Sequence, residues 1–166
     1  MLFVVKGGQG QDIFDLYHAL CDLQGYQRDV VLVCPVNMEK VMGAGLAKAV
    51  RDIAPAAYDI YCQAIERGDL TLRKPHLAQV DGLGDVLFFA TKNKWRAKSS
   101  LSDIQKGLCS FREMLPNLQR TQFVFPPLGC GLGGLAWNEV GAIMAREIGW
   151  LLDYTFWVFL REGEDV

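Results

Sequence analysis

Short unbroken apolar runs along the chain alternate with segments in which apolar residues recur every three or four positions. Val30-Val31-Leu32-Val33, Val86 to Ala90 and Phe156 to Leu160 are runs of the first kind, the pattern of strands covered on both faces. Six strands follow from this reading: 2–6, 30–33, 76–80, 86–90, 122–125 and 154–160. Between them the period is helical. Ile13, Leu16, Tyr17, Leu20 and Leu23 form one stripe; Leu46, Ala49, Val50 and Ile53 form a second. Pro55 restarts a helix through Tyr58, Tyr61 and Ile65 that stops at Gly68. Leu101, Ile104, Leu108, Phe111 and Leu115 give a longer helix, with Ser100 and Asp103 as a capping-box-like start. The last helix carries Val140, Ile143, Met144, Ile148 and Leu151, and assigns Asn138, Glu139, Arg146 and Glu147 to its wet side. Alternating strands and helices predict an α/β layered domain. Only 76–80 and 86–90 read as an antiparallel hairpin, so the sheet is expected to be mixed.

Composition narrows the class. A chain of 166 residues, 51% hydrophobic and 22% charged, is expected to form a single domain spanning 1–166. No apolar run approaches the roughly 18 residues that cross a bilayer, and "MLFVVKGGQG" does not read as a secretory leader. A cytoplasmic monomer with no membrane contact is expected. Five cysteines, odd in number and widely spaced, predict free, mostly buried thiols; neither a metal site nor a cofactor is expected. A net charge of −2 excludes wholesale phosphate neutralisation. Any nucleic-acid contact must be local, and "TKNKWRAK" is the candidate: Lys94, Arg96 and their basic neighbours surround Trp95, which suits phosphates and a stacked base.

Open α/β sheets bind ligands where strands lead into helices at their carboxyl ends. Three loops qualify: Cys34 to Ala47, Ala90 to Ser100, and "PPLGCGLGGLAW". Two carry glycines beside a helix start, Gly43-Ala44-Gly45 and Gly129 to Gly134, where backbone N–H groups and the helix dipole favour an anion. Two such loops of one polarity point to a ligand with two phosphates gripped from both sides. Gly129-x-Gly131-x-x-Gly134 spells a dinucleotide fingerprint, but Pro126-Pro127 separates it from its strand and Asp153 precedes the next strand instead of ending it. Too little chain follows for that fold. No G-K-[ST] supports a Walker loop.

"VNMEKVMGAGLA", "ATKNKWRAKSSLSDIQKGL" and "PPLGCGLGGLAW" stand in the order of three motifs of the macro domain family. The chain resembles that family over about residues 28–152, and is most similar to the branch of antitoxin-type domains and terminal ADP-ribose glycohydrolases. The resemblance implies a three-layer α/β/α fold with a mostly parallel sheet and ADP-ribose lying along the carboxyl ends of the strands. It implies that Asn37 contacts the distal ribose. Met42, Gly43, Ala44, Gly45 and Leu46 would line one side of the pyrophosphate, and Gly129, Cys130, Gly131 and Leu132 the other. Thr91, Pro127, Leu128 and Gly133 complete the lining. Lys92 matches the branch's catalytic lysine, while Lys94, Trp95 and Arg96 would meet the ADP-ribose acceptor. Asp12, with Ile13, takes the place of the acid that recognises adenine, displaced by extra residues. Cys34 replaces a frequent asparagine. Gly133 stands where terminal glycohydrolases carry an acid, whereas antitoxin-type domains are also Gly-Gly there.

The resemblance implies hydrolytic removal of ADP-ribose from nucleic acid or protein, with Lys92 either attacking C1 of the distal ribose as a neutral amine or orienting it as a cation. Two alternatives are an ADP-ribose 1''-phosphate phosphatase and a module that binds ADP-ribose without turnover. Each residue also has a plainer reading. Lys92 fits an exposed basic loop, Asn37 a loop-capping amide, and Cys130 a packed thiol. His18 and His76 read as structural, and Glu139 as a helix-dipole charge.

Overall fold

All six predicted strands are present in the computed structural model, which describes residues 1–24 and 29–164. They are β1 (Leu2–Lys6), β2 (Val30–Asn37), β3 (His76–Val80), β4 (Gly84–Lys92), β5 (Gln122–Phe125) and β6 (Thr155–Leu160). The helices are α1 (Ile13–Gln24), α2 (Gly45–Ile53), α3 (Ala56–Glu66), α4 (Leu101–Leu118) and α5 (Trp137–Glu147). The strands form one sheet in the order β1-β6-β5-β2-β4-β3. Every pairing is parallel except β3 with β4, which runs antiparallel from His76↔Phe88 to Val80↔Gly84.

Side chains alternate across the sheet and so divide the core in two. Val30, Leu32, Cys34 and Val36 of β2 pack with Tyr17 of α1, Val50 of α2 and Tyr61 of α3. Val31 and Val33 face the other way, towards Leu108 and Phe111 of α4 and Val140 and Met144 of α5. This is a three-layer α/β/α arrangement. Burial of each such aliphatic or aromatic side chain stabilises by about 1.5–3 kcal/mol. Among the described residues, no helix is long and apolar enough to cross a membrane.

Two strands outrun their sequence patterns, and both extensions reach the site. β2 continues through Cys34-Pro35 to Asn37. Beyond Leu32 it pairs only with β4, so Pro35 sits where the strand has one neighbour, a place that tolerates a missing N–H. β4 likewise runs on to Lys92, which pairs with Asn37 after a bulge at Val36/Asn37. The helices show four departures. Leu23 is 82% exposed because the buried face of α1 includes Phe14 and Cys21, which turns it away from Leu23. Ile53 is half exposed at the end of α2. Glu147, assigned to a wet face, is buried, and Leu151 lies beyond the end of α5. The Glu147 carboxylate accepts from Arg112 Nη1 at 2.8 Å and from the Cys109 thiol at 3.2 Å, a set of partners on α4 that helical period alone does not reveal.

Candidate functional site

A cleft of about 400 Å³ opens at the carboxyl ends of β2, β4, β5 and β6. One wall is the turn from β2 into α2. Asn37 shapes it: its Oδ1 accepts from the N–H groups of Glu39 at 3.0 Å and Val41 at 3.3 Å, while Nδ2 donates to Val41 O at 2.8 Å. The buried Tyr61 hydroxyl donates to Asn37 O at 2.6 Å, fixing the strand end from below. Lys40, at φ 62, is held in a left-handed turn within this network, with Tyr58 donating to its carbonyl at 3.0 Å. The loop then enters α2 at Gly45, whose φ of 57 suits glycine. No side chain caps α2 at Ala44, in contrast to α4, where Ser100 Oγ accepts from Asp103 N. The first N–H groups of α2 are thus left for an anion.

The opposite wall is the turn after β5. Gly129 and Gly134 have φ of 71 and 77. Leu135 N donates to Gly129 O at 2.9 Å, and Gly134 N to Gly131 O at 3.1 Å. Those bonds fold the loop so that Gly131, Leu132 and Gly133 line the cleft. Their N–H groups have no backbone acceptor among the described residues, the arrangement of an anion-binding nest. Leu132 on the crest is 70% exposed.

Lys92 closes one end. As the Cα partner of Asn37 it stands beside it on the neighbouring strand, with Thr91 next to it. The loop beyond is tied to the first wall: Met38 N donates to Asn93 O at 3.0 Å, and Trp95 N to Glu39 Oε2 at 3.1 Å. Trp95 lines the cleft, is 45% exposed and carries the Arg96 guanidinium over its ring at 4.5 Å, a flat cationic platform at the mouth. The other end of the cleft, beyond β6, is formed by Arg161 and Glu164. Glu164 Oε2 accepts from Arg161 N at 2.7 Å. The sequence reading missed both, because they follow the last strand and belong to no motif.

The Macro domain family model matches residues 33–144. The chain belongs to the macro domain family. Similar proteins include a DNA ADP-ribosyl glycohydrolase of Mycobacterium tuberculosis, 37% identical over 112 residues, which make up 66% of this chain and 32% of that protein. A DNA ADP-ribosyl transferase-DNA ADP-ribosyl glycohydrolase fusion protein of Thermosipho africanus is 33% identical over 141 residues, 74% of this chain and 36% of the relative. The macro domain therefore spans about a third of the length of these relatives. Among solved structures, the macrodomain of Mycobacterium tuberculosis DarG superposes with a TM-score of 0.76 at 26% identity, covering 96% of this chain and 97% of the other. Thermosipho africanus DarTG in complex with ADP-ribose gives 0.75 at 29% identity, over 82% and 39%.

The macro-domain roles implied by the sequence divide into two groups in space. Asn37, Gly43 to Leu46, Thr91, Lys92, Trp95, Pro127, Gly129 and Gly131 to Gly133 all line one cleft. Met42 and Leu128 are buried beneath the two walls, in opposite halves of the core. Cys130 is part-buried; its thiol donates to Leu128 O at 3.4 Å, and burial pushes its pKa up to about 11. That suits a packed thiol better than a nucleophile. Cys34 is fully buried under the cleft, with burial raising its pKa to about 12. Asp12 caps α1, its Oδ1 accepting from Phe14 N at 2.9 Å and Asp15 N at 3.1 Å, and Ile13 points into the core. Lys94 and Arg96 are exposed on the loop around Trp95. No group of three or more metal-ligating side chains occurs among the described residues.

Proposed function

We propose that this macro domain binds ADP-ribose along its cleft and hydrolyses the bond joining the distal ribose to a modified DNA base. The observation that carries the reading is the pair of facing donor sets, the uncapped start of α2 and the Gly131 to Gly133 nest, with Lys92 at one end. Two such sets match a diphosphate gripped from both sides. The likeness to DNA ADP-ribosyl glycohydrolases and to a protein solved with ADP-ribose supports it. Asn37 and Lys92 then meet the distal ribose, and the Trp95–Arg96 platform stacks on the DNA at the mouth. Hydrolysis breaks the bond from C1 of that ribose to the base and adds water there, with a proton passing to the base. Lys92 assists by transient attack as a neutral amine or, as a cation, by orienting the ribose and the leaving base. In this reading residues 1–166 act as one monomeric domain in the cytoplasm.

The test is release of ADP-ribose from a DNA oligonucleotide carrying it on a base, alongside calorimetric titration with free ADP-ribose. The wild type is expected to turn over. Lys92→Ala should lose at least a hundredfold in rate while keeping ADP-ribose affinity within about threefold, the behaviour of a group acting chiefly in the transition state. Trp95→Ala should raise KM for the oligonucleotide roughly tenfold, from the worth of one base stack. Undiminished turnover by Lys92→Ala would sink the assignment.

A further inference from the structure

The Ser99 hydroxyl is the one buried side-chain polar atom without a hydrogen-bond partner among the described residues. Its residue is 8% exposed and stands at the junction of the basic loop and α4. The Ser99 N–H donates to Gly133 O at 3.0 Å, so the segment is already fastened to the glycine loop through its backbone. The hydroxyl lies directly behind that loop. A Cβ added at Gly133 would collide with it, and one at Gly129 would meet it at 3.4 Å. In front of the same loop is the cleft, lined by Gly131 and Gly133. The loop is therefore a single peptide layer between an anion-binding cleft and a hydroxyl that lacks an acceptor.

A trans peptide points its C=O and its N–H in opposite directions. If the Leu132–Gly133 peptide turns its carbonyl back towards Ser99, the Gly133 N–H must face forward into the cleft. Glycine at 133 leaves that rotation unhindered by a side chain. We propose that Ser99 is a positioning residue for phosphate binding. Its hydroxyl donates to the Leu132 carbonyl in the ligand-bound state and so holds the Gly133 N–H on the diphosphate. The identity of the anion rests on the ADP-ribose reading; the coupling of hydroxyl to loop does not.

Ser99→Ala separates this from a structural role, because the two predict different signs. Removing a hydroxyl that has no partner in the free protein should leave its melting temperature unchanged or raised. The same substitution should weaken ADP-ribose binding about five- to tenfold by calorimetry, the worth of one hydrogen bond. Ser99→Cys, with a weak donor of similar shape, should fall between. Unchanged affinity in Ser99→Ala would overturn the proposal. So would equal losses of stability and affinity, or a ligand-bound structure in which Ser99 Oγ bonds only to water. If the wild type fails to bind ADP-ribose, the functional reading fails by itself. The wild-type to Ser99→Ala ratio is then measured with inorganic diphosphate, and the same weakening is expected.

Discussion

Glycine at position 133 is a steric requirement of this loop. A Cβ there would strike the Ser99 hydroxyl and approach the Gly129 carbonyl oxygen to 2.5 Å; the second neighbour is backbone and cannot swing aside. A carboxylate cannot be introduced at this position without moving the whole turn, so the proposed hydrolysis has to do without an acid at 133. Gly133→Asp is expected to destabilise by about 2 kcal/mol or more through overpacking and to lower ADP-ribose affinity at least tenfold; chemical denaturation and calorimetry read the two effects. A variant as stable and as tight as wild type would show that the loop has a second comfortable conformation. The residues around it were unequally legible. The glycines and Lys92 could be read because their motifs pair a residue type with a place in the chain. Asn37 is the instructive case, since its amide caps its own loop and also lines the cleft; the plain reading and the functional one describe the same side chain. Arg161, Glu164 and Ser99 gave no signal, because their significance lies wholly in what folds against them.

At the scale of elements, apolar period located every strand and helix but not where the central strands end. The pattern breaks at Cys34-Pro35 in β2, yet the strand persists because β4 alone supplies its partner there. Helix faces were legible along their apolar stripes except at the helix ends, where Leu23 and Ile53 are exposed, and misleading where burial is ionic. Glu147 reads as solvent-facing, but Arg112 on α4 covers it. The Cys109 thiol, Arg146, Arg112 and Gln105 all bond its carboxylate and hold its pKa below the usual 4.5, against the opposing effect of burial. A carboxyl with a depressed folded-state pKa contributes stability that is present above pH 4.5 and lost as pH falls through the folded value. Glu147→Gln should cost about 1–2 kcal/mol at neutral pH. Its loss relative to wild type should shrink below pH 4.5, as wild-type Glu147 itself becomes protonated. Urea denaturation of both proteins across pH 3–7 measures this; a difference that does not change with pH would assign Glu147 to packing alone.

For the whole molecule, the layered fold was readable because each level of the sequence agrees: buried runs for central strands, amphipathic stripes for both helical layers, and one hairpin at the β3 edge. The strand order was not readable, since it depends on which runs meet across long separations. That order also sets how binding and stability are linked. The cleft takes residues from four strand ends spread between Pro35 and Glu164, so ADP-ribose should bind the folded chain and not the unfolded one. At a hundredfold excess over Kd this stabilises by about 2.7 kcal/mol, a rise in melting temperature of roughly 5–10 °C for a domain of this size. Scanning fluorimetry with and without ADP-ribose checks it, and a flat response at saturating ligand would count against the proposed site.

The position of β5 between β2 and β6 has a consequence for synthesis of the chain on the ribosome. By the time Gly134 is made, every glycine of both walls exists, yet β5 has only one of its two neighbours. Phe111 of α4 packs edge-on against Phe123 and Phe156, with ring centroids 5.0 and 6.0 Å away, so its aromatic cluster stays incomplete until β6 emerges. A nascent chain halted before residue 155 should therefore hold the complete binding motifs and capture no ligand. Affinity is expected to arrive in one step, with the emergence of β6.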